Sequence, residues 1–107
     1  LSGALDNHGS GALVSEGSLT VKADQVNNQA GTFSSAGSLL VTSRGELNNQ
    51  GGRLVTDAGA TLNSTGFDNS RAGLVSAKGA VAIRTGALNN SQKGSIGGNT
   101  GVTLVAG

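Results

Sequence analysis

The chain has no cysteine, proline, methionine, tryptophan or tyrosine, and its aromatic residues are Phe33 and Phe67 alone. Each absence excludes something. Without cysteine there are no disulfides and no thiolate metal sites, and the redox compartment stays open. A globule of 107 residues ordinarily buries several large rings, so a conventional compact core is not expected. No apolar run approaches the ~18 residues that span a bilayer, and no signal peptide is visible. Seven basic and six acidic residues leave a net charge of +1, too little to draw nucleic acid or a membrane surface. That charge is mildly divided: up to Gly52 two basic residues face four acidic ones, a balance of −2, and beyond it five face two, a balance of +3.

Glycine is abundant instead, 19 residues of 107, well above the usual ~7%. With serine and asparagine also plentiful, disorder is the first alternative. Against it, 23 residues are Leu, Val or Ile and they are regularly spaced, which argues for an ordered chain.

The spacing is that of an internal repeat. "LDNHGSGAL" begins at Leu5, "VNNQAGTF" at Val26, "LNNQGGRL" at Leu47, "FDNSRAGL" at Phe67 and "LNNSQKGSI" at Leu88. A period of 20 to 21 residues indicates a solenoid in which each unit is one coil stacked on the last. Within a unit, apolar residues alternate with polar or small ones, the strand period. The first such stretch is 12–15, 32–35, 53–56, 73–76 and 95–98; the second is 18–23, 38–43, 60–65, 80–85 and 102–107. A third, very short strand carries the residue that opens each unit. The fold expected is therefore all-β: a parallel β-helix of about five coils, three short strands per coil, each strand pairing with its equivalent one coil away at ~4.8 Å. At that spacing five coils make a section about 24 Å long.

Inward columns follow. Leu13, Phe33, Leu54, Leu74 and Ile96 are expected in one, with Ser15, Ser35, Thr56 and Ser76 as a hydroxyl ladder beside it. Leu19, Leu39 and Val81 form another, with Val21, Val41 and Ile83 two residues on, and Val102 and Leu104 continue them. Leu5, Val26, Leu47, Phe67 and Leu88 form the last. Gly17, Gly37, Gly59, Gly79 and Gly101 are expected to turn between the first two strands with positive φ. Two units depart from the pattern. Counted from Gly59, Leu62 sits one place late, so it is expected inward and Asn63 outward, with the slack taken up at Asp57–Gly59. The first unit has an extra residue near Gly9–Gly11.

Asn7, Asn28, Asn49, Asn69 and Asn90 recur in every unit, each preceded by Asn or Asp. An amide carries both donor and acceptor, so equivalent asparagines one coil apart are expected to bond to one another as a ladder, with one of each pair shaping the corner. Their role is read as structural.

The unit "LNNQGGRLVTDAGATL" resembles the haemagglutinin repeats of the filamentous haemagglutinin family, large exoproteins exported by two-partner secretion in Gram-negative bacteria. The resemblance extends from Leu5 to Gly107. Apolar–Asn–Asn, a glycine, a short strand and an "SLTV"-like second strand are fairly specific in five tandem copies and weak in one. The resemblance implies a right-handed β-helical shaft used in adhesion or biofilm formation. It also implies secretion to the cell surface, an association with virulence, and an outer-membrane transporter as partner of the full-length protein. In relatives acting in contact-dependent growth inhibition, such repeats form a stalk carrying a receptor-binding region and a C-terminal toxin. The family's secretion domain carries Asn-Pro-Asn motifs, which a proline-free chain lacks, and neither a toxin-like segment nor a polar capping unit is visible. Residues 1–107 are therefore expected to be a single section of a longer array, neighbouring repeats of the same chain being its first partners.

No catalytic constellation assembles. His8 is the sole histidine and lies between Asn7 and Gly9, so it reads as an exposed corner residue. Asp6 and Asp68 take the position of Asn27, Asn48 and Asn89 but lie three coils apart, too far to act as a carboxylate pair. "GGRLVTD" at 51–57 lacks the recurring Gly-Gly-x-Gly-x-Asp of calcium-binding rolls. Thr61 and Thr65 are isolated rather than part of a flat Thr-x-Thr face. No enzymatic activity, metal or cofactor is expected.

Arg53, Arg71 and Lys93 fall between the Asn pair and the first strand of consecutive coils. As a stripe they would suit sulfated or acidic glycans; otherwise they keep the rod soluble and deter edge pairing. The leading expectation is a structural shaft section, without membrane insertion. A glycan-binding module on the basic corner comes second, and a degenerate polysaccharide-processing β-helix third.

Overall fold

A computed structural model gives the fold and describes residues 4–9, 11–91 and 93–106. Among the described residues, fifteen strands make five coils of three. The first coil runs through β1 (Ala4–Asp6), β2 (Ala12–Ser15) and β3 (Leu19–Ala23). The second has β4 (Gln25–Asn27), β5 (Thr32–Ser35) and β6 (Leu39–Ser43), and the third β7 (Glu46–Asn48), β8 (Arg53–Thr56) and β9 (Ala60–Asn63). The fourth follows with β10 (Gly66–Asp68), β11 (Leu74–Ala77) and β12 (Ala80–Thr85), and the fifth with β13 (Ala87–Asn89), β14 (Ser95–Gly98) and β15 (Gly101–Ala106).

Each strand pairs in parallel with its equivalent one coil away, giving three five-stranded sheets: β1-β4-β7-β10-β13, β2-β5-β8-β11-β14 and β3-β6-β9-β12-β15. The fold is a β-solenoid of five turns. Its extents are 29 × 28 × 21 Å, so five coils are about as wide as they are tall.

Strand alternation explains the core. In the first sheet the middle residue of each strand points inward, stacking Leu5, Val26, Leu47, Phe67 and Leu88. The third sheet contributes two inward columns. Leu19, Leu39, Ala60, Val81 and Val102 form one; Val21, Val41, Leu62, Ile83 and Leu104 form the other. The middle coils are closed: Phe33, Leu47, Leu54, Val41, Val75 and Val81 are fully buried. Val102 and Leu104, in the last coil, are nearly half exposed.

The second sheet corrects two expectations. Opposite Leu54 stands Val75, not Leu74, and Val75 continues to Ile96. Leu74 pairs with Arg53 on the outer face and is half-buried. By the same slip Ala77, not Ser76, lies opposite Thr56. The reason is the preceding corner. From inward residue to inward residue, Val26 to Phe33 and Leu47 to Leu54 are 7 steps, whereas Leu5 to Leu13, Phe67 to Val75 and Leu88 to Ile96 are 8. The fourth and fifth coils thus share the extra residue noticed in the first. Of the remaining hydroxyls two meet: Ser35 Oγ lies 3.0 Å from Thr56 Oγ1 and 2.8 Å from the carbonyl of Gly37, while Ser15 Oγ donates to the Ser18 carbonyl at 3.1 Å.

Leu62 points inward, opposite Val41 and Ile83, while Asn63 faces outward with Thr42 and Arg84 and is half-buried. The slack, however, is not at Asp57–Gly59. Every coil takes 6 steps from the inward residue of its first strand to that of its second: Leu13 to Leu19, Phe33 to Leu39, Leu54 to Ala60, Val75 to Val81, Ile96 to Val102. Gly59 simply occupies the position of Ser38, as its carbonyl accepting from Leu39 N–H shows. The third coil is one residue shorter than the second because Leu62 to Phe67 is 5 steps where Val41 to Leu47 is 6. Of the five glycines expected to turn with positive φ, Gly101 alone does so, at 145°.

Candidate functional site

The most organised polar feature is the corner between the first and second sheets. It begins with the Asx residue that ends β1, β4, β7, β10 and β13. The side-chain oxygen of Asn27, Asn48, Asp68 and Asn89 accepts the backbone N–H two residues on, at 2.9–3.1 Å. Asp6 does the same with His8 at 3.3 Å. This local bond turns the chain out of the strand and brings the following asparagine round to face inward.

Those asparagines form a continuous column. Asn7 Nδ2 donates to Asn28 Oδ1 at 2.8 Å, Asn28 to Asn49 at 2.8 Å, Asn49 to Asn69 at 2.7 Å and Asn69 to Asn90 at 2.8 Å. The second hydrogen of each amide reaches a backbone carbonyl of the next coil: Thr32, Arg53 and Leu74 at 3.1 Å, Ser95 at 3.0 Å. Asn28, Asn49 and Asn69 have no solvent exposure. Among the described residues, no buried side-chain nitrogen or oxygen lacks a partner.

The corner ends on a glycine two residues before the inward apolar residue: Gly11, Gly31, Gly52, Gly73 and Gly94. A Cβ at Gly52 would stand 2.6 Å from Asn49 Oδ1 and even closer to the carbonyl of Asn28; one at Gly73 would stand 2.6 Å from Asn69 Oδ1. Only a residue without a side chain lets the returning backbone lie against the ladder. Each glycine N–H bonds the carbonyl three residues back. That acceptor is Asn28 or Asn49 in the 7-step corners, and His8, Ser70 or Ser91 in the 8-step ones. The extra residue thus shifts the turn by one place and leaves its closure unchanged. Left-handed backbone collects just before this glycine, at Ala30 (φ 57°), Gly51 (62°), Ala72 (64°) and Lys93 (70°), with Arg71 (54°) beside it. These closing glycines were not singled out from the sequence, although the recurring Asn-x-x-Gly or Asn-x-x-x-Gly would have revealed them.

The chain belongs to a known repeat family by direct comparison. The model described as haemagglutinin repeat matches residues 1–51 and again 45–107.

This is a haemagglutinin-repeat protein.

No curated protein and no solved structure matches the chain. Haemagglutinin repeats are a structural and adhesin family rather than an enzymatic one, typical of secreted two-partner secretion exoproteins.

The other polar groups of this haemagglutinin-repeat chain are dispersed. His8 and Asp6 are in direct hydrogen-bond contact on an open corner, both more than half exposed, and the bond from His8 holds the Asp6 carboxyl below its ordinary range. Burial would by itself raise Asp68, but hydrogen bonds from the Ser70 hydroxyl and N–H and from Gln50, with Arg71 nearby, leave it lowered. Among the described residues, no three His, Asp or Glu side chains converge as a metal site.

Arg53, Arg71 and Lys93 are all exposed, but they occupy three positions. Arg53 opens β8, paired with Thr32 and Leu74 on the outer face of the second sheet. Lys93 immediately precedes Gly94, as Ala72 precedes Gly73, and Arg71 lies one place earlier still. They share a corner without sharing a register column.

Proposed function

We propose that residues 1–107 are a shaft section of a large secreted bacterial surface exoprotein, acting in adhesion or contact-dependent interaction between cells. The observation that carries this reading is register: three sheets and four apolar columns pass through five coils, with the asparagine column beside them. Such stacking transmits length and stiffness, because each coil contacts mainly its neighbours and a further coil adds ~4.8 Å. The family adds support, since its repeats are typical of two-partner secretion exoproteins. On this reading the array continues beyond these residues and the parent has an outer-membrane transporter as its secretion partner.

A second reading is a glycan-binding module on the basic corner, favoured by three exposed cations within one stretch of surface. One experiment separates the two. In the full-length exoprotein, Arg53, Arg71 and Lys93 are all changed to Glu, and separately one whole unit (47–66) is deleted; cell adhesion is then measured for each. The shaft reading expects adhesion to survive charge reversal and to change only with the number of coils. Loss of adhesion on charge reversal, with the circular dichroism unchanged, overturns it in favour of glycan recognition.

A further inference from the structure

The outer face of the first sheet carries a trough for which a shaft has no use. Its strands are three residues long, so each sends one residue inward and two outward. The outward residues form two walls on either side of a backbone floor. Two depressions, of about 280 and 230 Å³, lie end to end along this floor and share Glu46. Together they touch all five strands of the sheet.

One wall is the column Asp6, Asn27, Asn48, Asp68 and Asn89. In Asn27, Asn48 and Asn89 the side-chain oxygen is already taken by the corner, which leaves Nδ2 as the group offered outward. The other wall is uneven. Gln25 and Glu46 stand tall in its middle, and Ala4, Gly66 and Ala87 keep it low elsewhere. Among the described residues lining the two depressions there is no Lys or Arg.

We propose that this trough binds an uncharged, extended polysaccharide lying along the solenoid axis, about one sugar per coil. Amides and carboxylates set side by side offer the paired donors and acceptors that neighbouring sugar hydroxyls require. The carboxylates of Asp6, Glu46 and Asp68 repel sulfated and uronic chains, so the ligand class is opposite in charge preference to that suited to the basic corner. A β-1,4-linked pyranose chain advances per sugar by nearly the ~4.8 Å strand spacing and turns over at each sugar, so one contact pattern recurs on every second coil. The ring of Phe67 is turned into the core, so among the described residues lining the trough none offers an aromatic face; single contacts are weak, and affinity accumulates with the number of coils engaged. The inference uses none of Arg53, Arg71 and Lys93 and does not depend on the shaft reading.

The test is titration calorimetry of the 107-residue chain with cello- and chito-oligosaccharides of two to six sugars, at low and high salt. Affinity is expected to rise with each sugar up to about five, matching the five strands, and to be indifferent to salt. Gln25→Ala with Glu46→Ala should weaken binding at least ~10-fold, roughly the effect of one or two lost hydrogen bonds. Gly66→Leu should abolish it by filling the trough. A Cβ there meets only Glu46 Cγ, at 3.5 Å, so the fold is expected to persist, checked by an unchanged melting curve. Absence of length-dependent binding with both sugar series, or binding that survives Gly66→Leu, overturns the proposal. So does salt-sensitive binding lost only on Arg53, Arg71 and Lys93→Glu, which places recognition on the basic corner instead.

Discussion

Two corners of each coil solve the same turning problem in opposite ways. The corner between the first and second sheets varies by one residue among coils, whereas the corner between the second and third never does. The variable corner is clamped at both ends by buried contacts: the asparagine ladder at its start and a glycine packed on that ladder at its finish. Residues between the clamps can loop out, carrying left-handed φ at Ala30, Arg71, Ala72 and Lys93, without moving either end. The constant corner is held by strand-end hydroxyls instead: Ser35 and Thr56 donate to the Gly37 carbonyl, and Thr56 accepts from the Ala58 N–H. Its residues are largely exposed, and an ion pair there, Asp57 with Lys78 at 3.4 Å, lies in solvent. There each turn is bonded to the coil before it, as in Gly37 N–H to Gly17 and Gly79 N–H to Ala58, and its length does not vary. Length varies where a glycine closes on the asparagine ladder, and is constant where strand-end hydroxyls bond the turn itself.

Insertion is the hardest blow to this contrast. One alanine placed between Asp57 and Ala58 should turn Ala60 and Leu62 outward and cost more than ~4 kcal/mol, on the scale of emptying core positions. The same alanine between Gln50 and Gly51 imitates the 8-step corner and should cost below ~1 kcal/mol. Urea unfolding of both compares them directly, and equal losses would break the distinction.

Next in size is the clamp itself. Asn49→Ala strips an acceptor from Asn28, a donor from Asn69 and a donor from the Leu74 carbonyl, all within the coil stack. At about 1–3 kcal/mol per buried unsatisfied group, a loss of ~3 kcal/mol or more is expected in the unfolding free energy. Gly52→Ala, which drives a methyl into the ladder, should cost roughly 2–3 kcal/mol. Gly17→Ala, on the constant corner with open space around it and φ outside the left-handed region, should stay within ~0.5 kcal/mol of the parent. Thermal melts of the pair sharpen the comparison, and a larger loss at Gly17 would reverse it.

Smaller still is relief of strain in the variable corner. Ala30→Gly removes a left-handed alanine and is expected to raise stability by up to ~1 kcal/mol, offset in part by the freer unfolded chain.

The smallest effect is electrostatic. Asp68 is lowered in the folded protein, so its contribution is present above the usual aspartate value of 3.8 and fades as pH falls through its folded value. Asp68→Asn, which keeps the turn-forming oxygen used by Asn27, Asn48 and Asn89, should flatten the pH dependence of stability below about pH 4. Parallel pH profiles for the two proteins would remove Asp68 from the account.

Much of this was readable from the residues. A translational repeat makes each residue the neighbour of its own equivalent, so a 20–21-residue period yields the columns, the parallel pairing and the candidate ladder positions directly. Leu62 could be turned inward from alternation alone. What local pattern could not decide was the choice between adjacent apolar residues. Leu74 and Val75 fit an alternating strand equally well, and the selection of Val75 depends on how many residues the preceding corner spends before Gly73 closes on Asn69. The third unit's shortfall was readable from its length, but its place was not, because Gly59 resembles Gly17, Gly37 and Gly79 while standing one place beyond them. Period and amide chemistry were determined by sequence, since both are properties of single residues repeated along the chain. Corner length and strand register were decided by the tertiary structure, because a buried contact between coils, and no local preference, determines where each strand resumes.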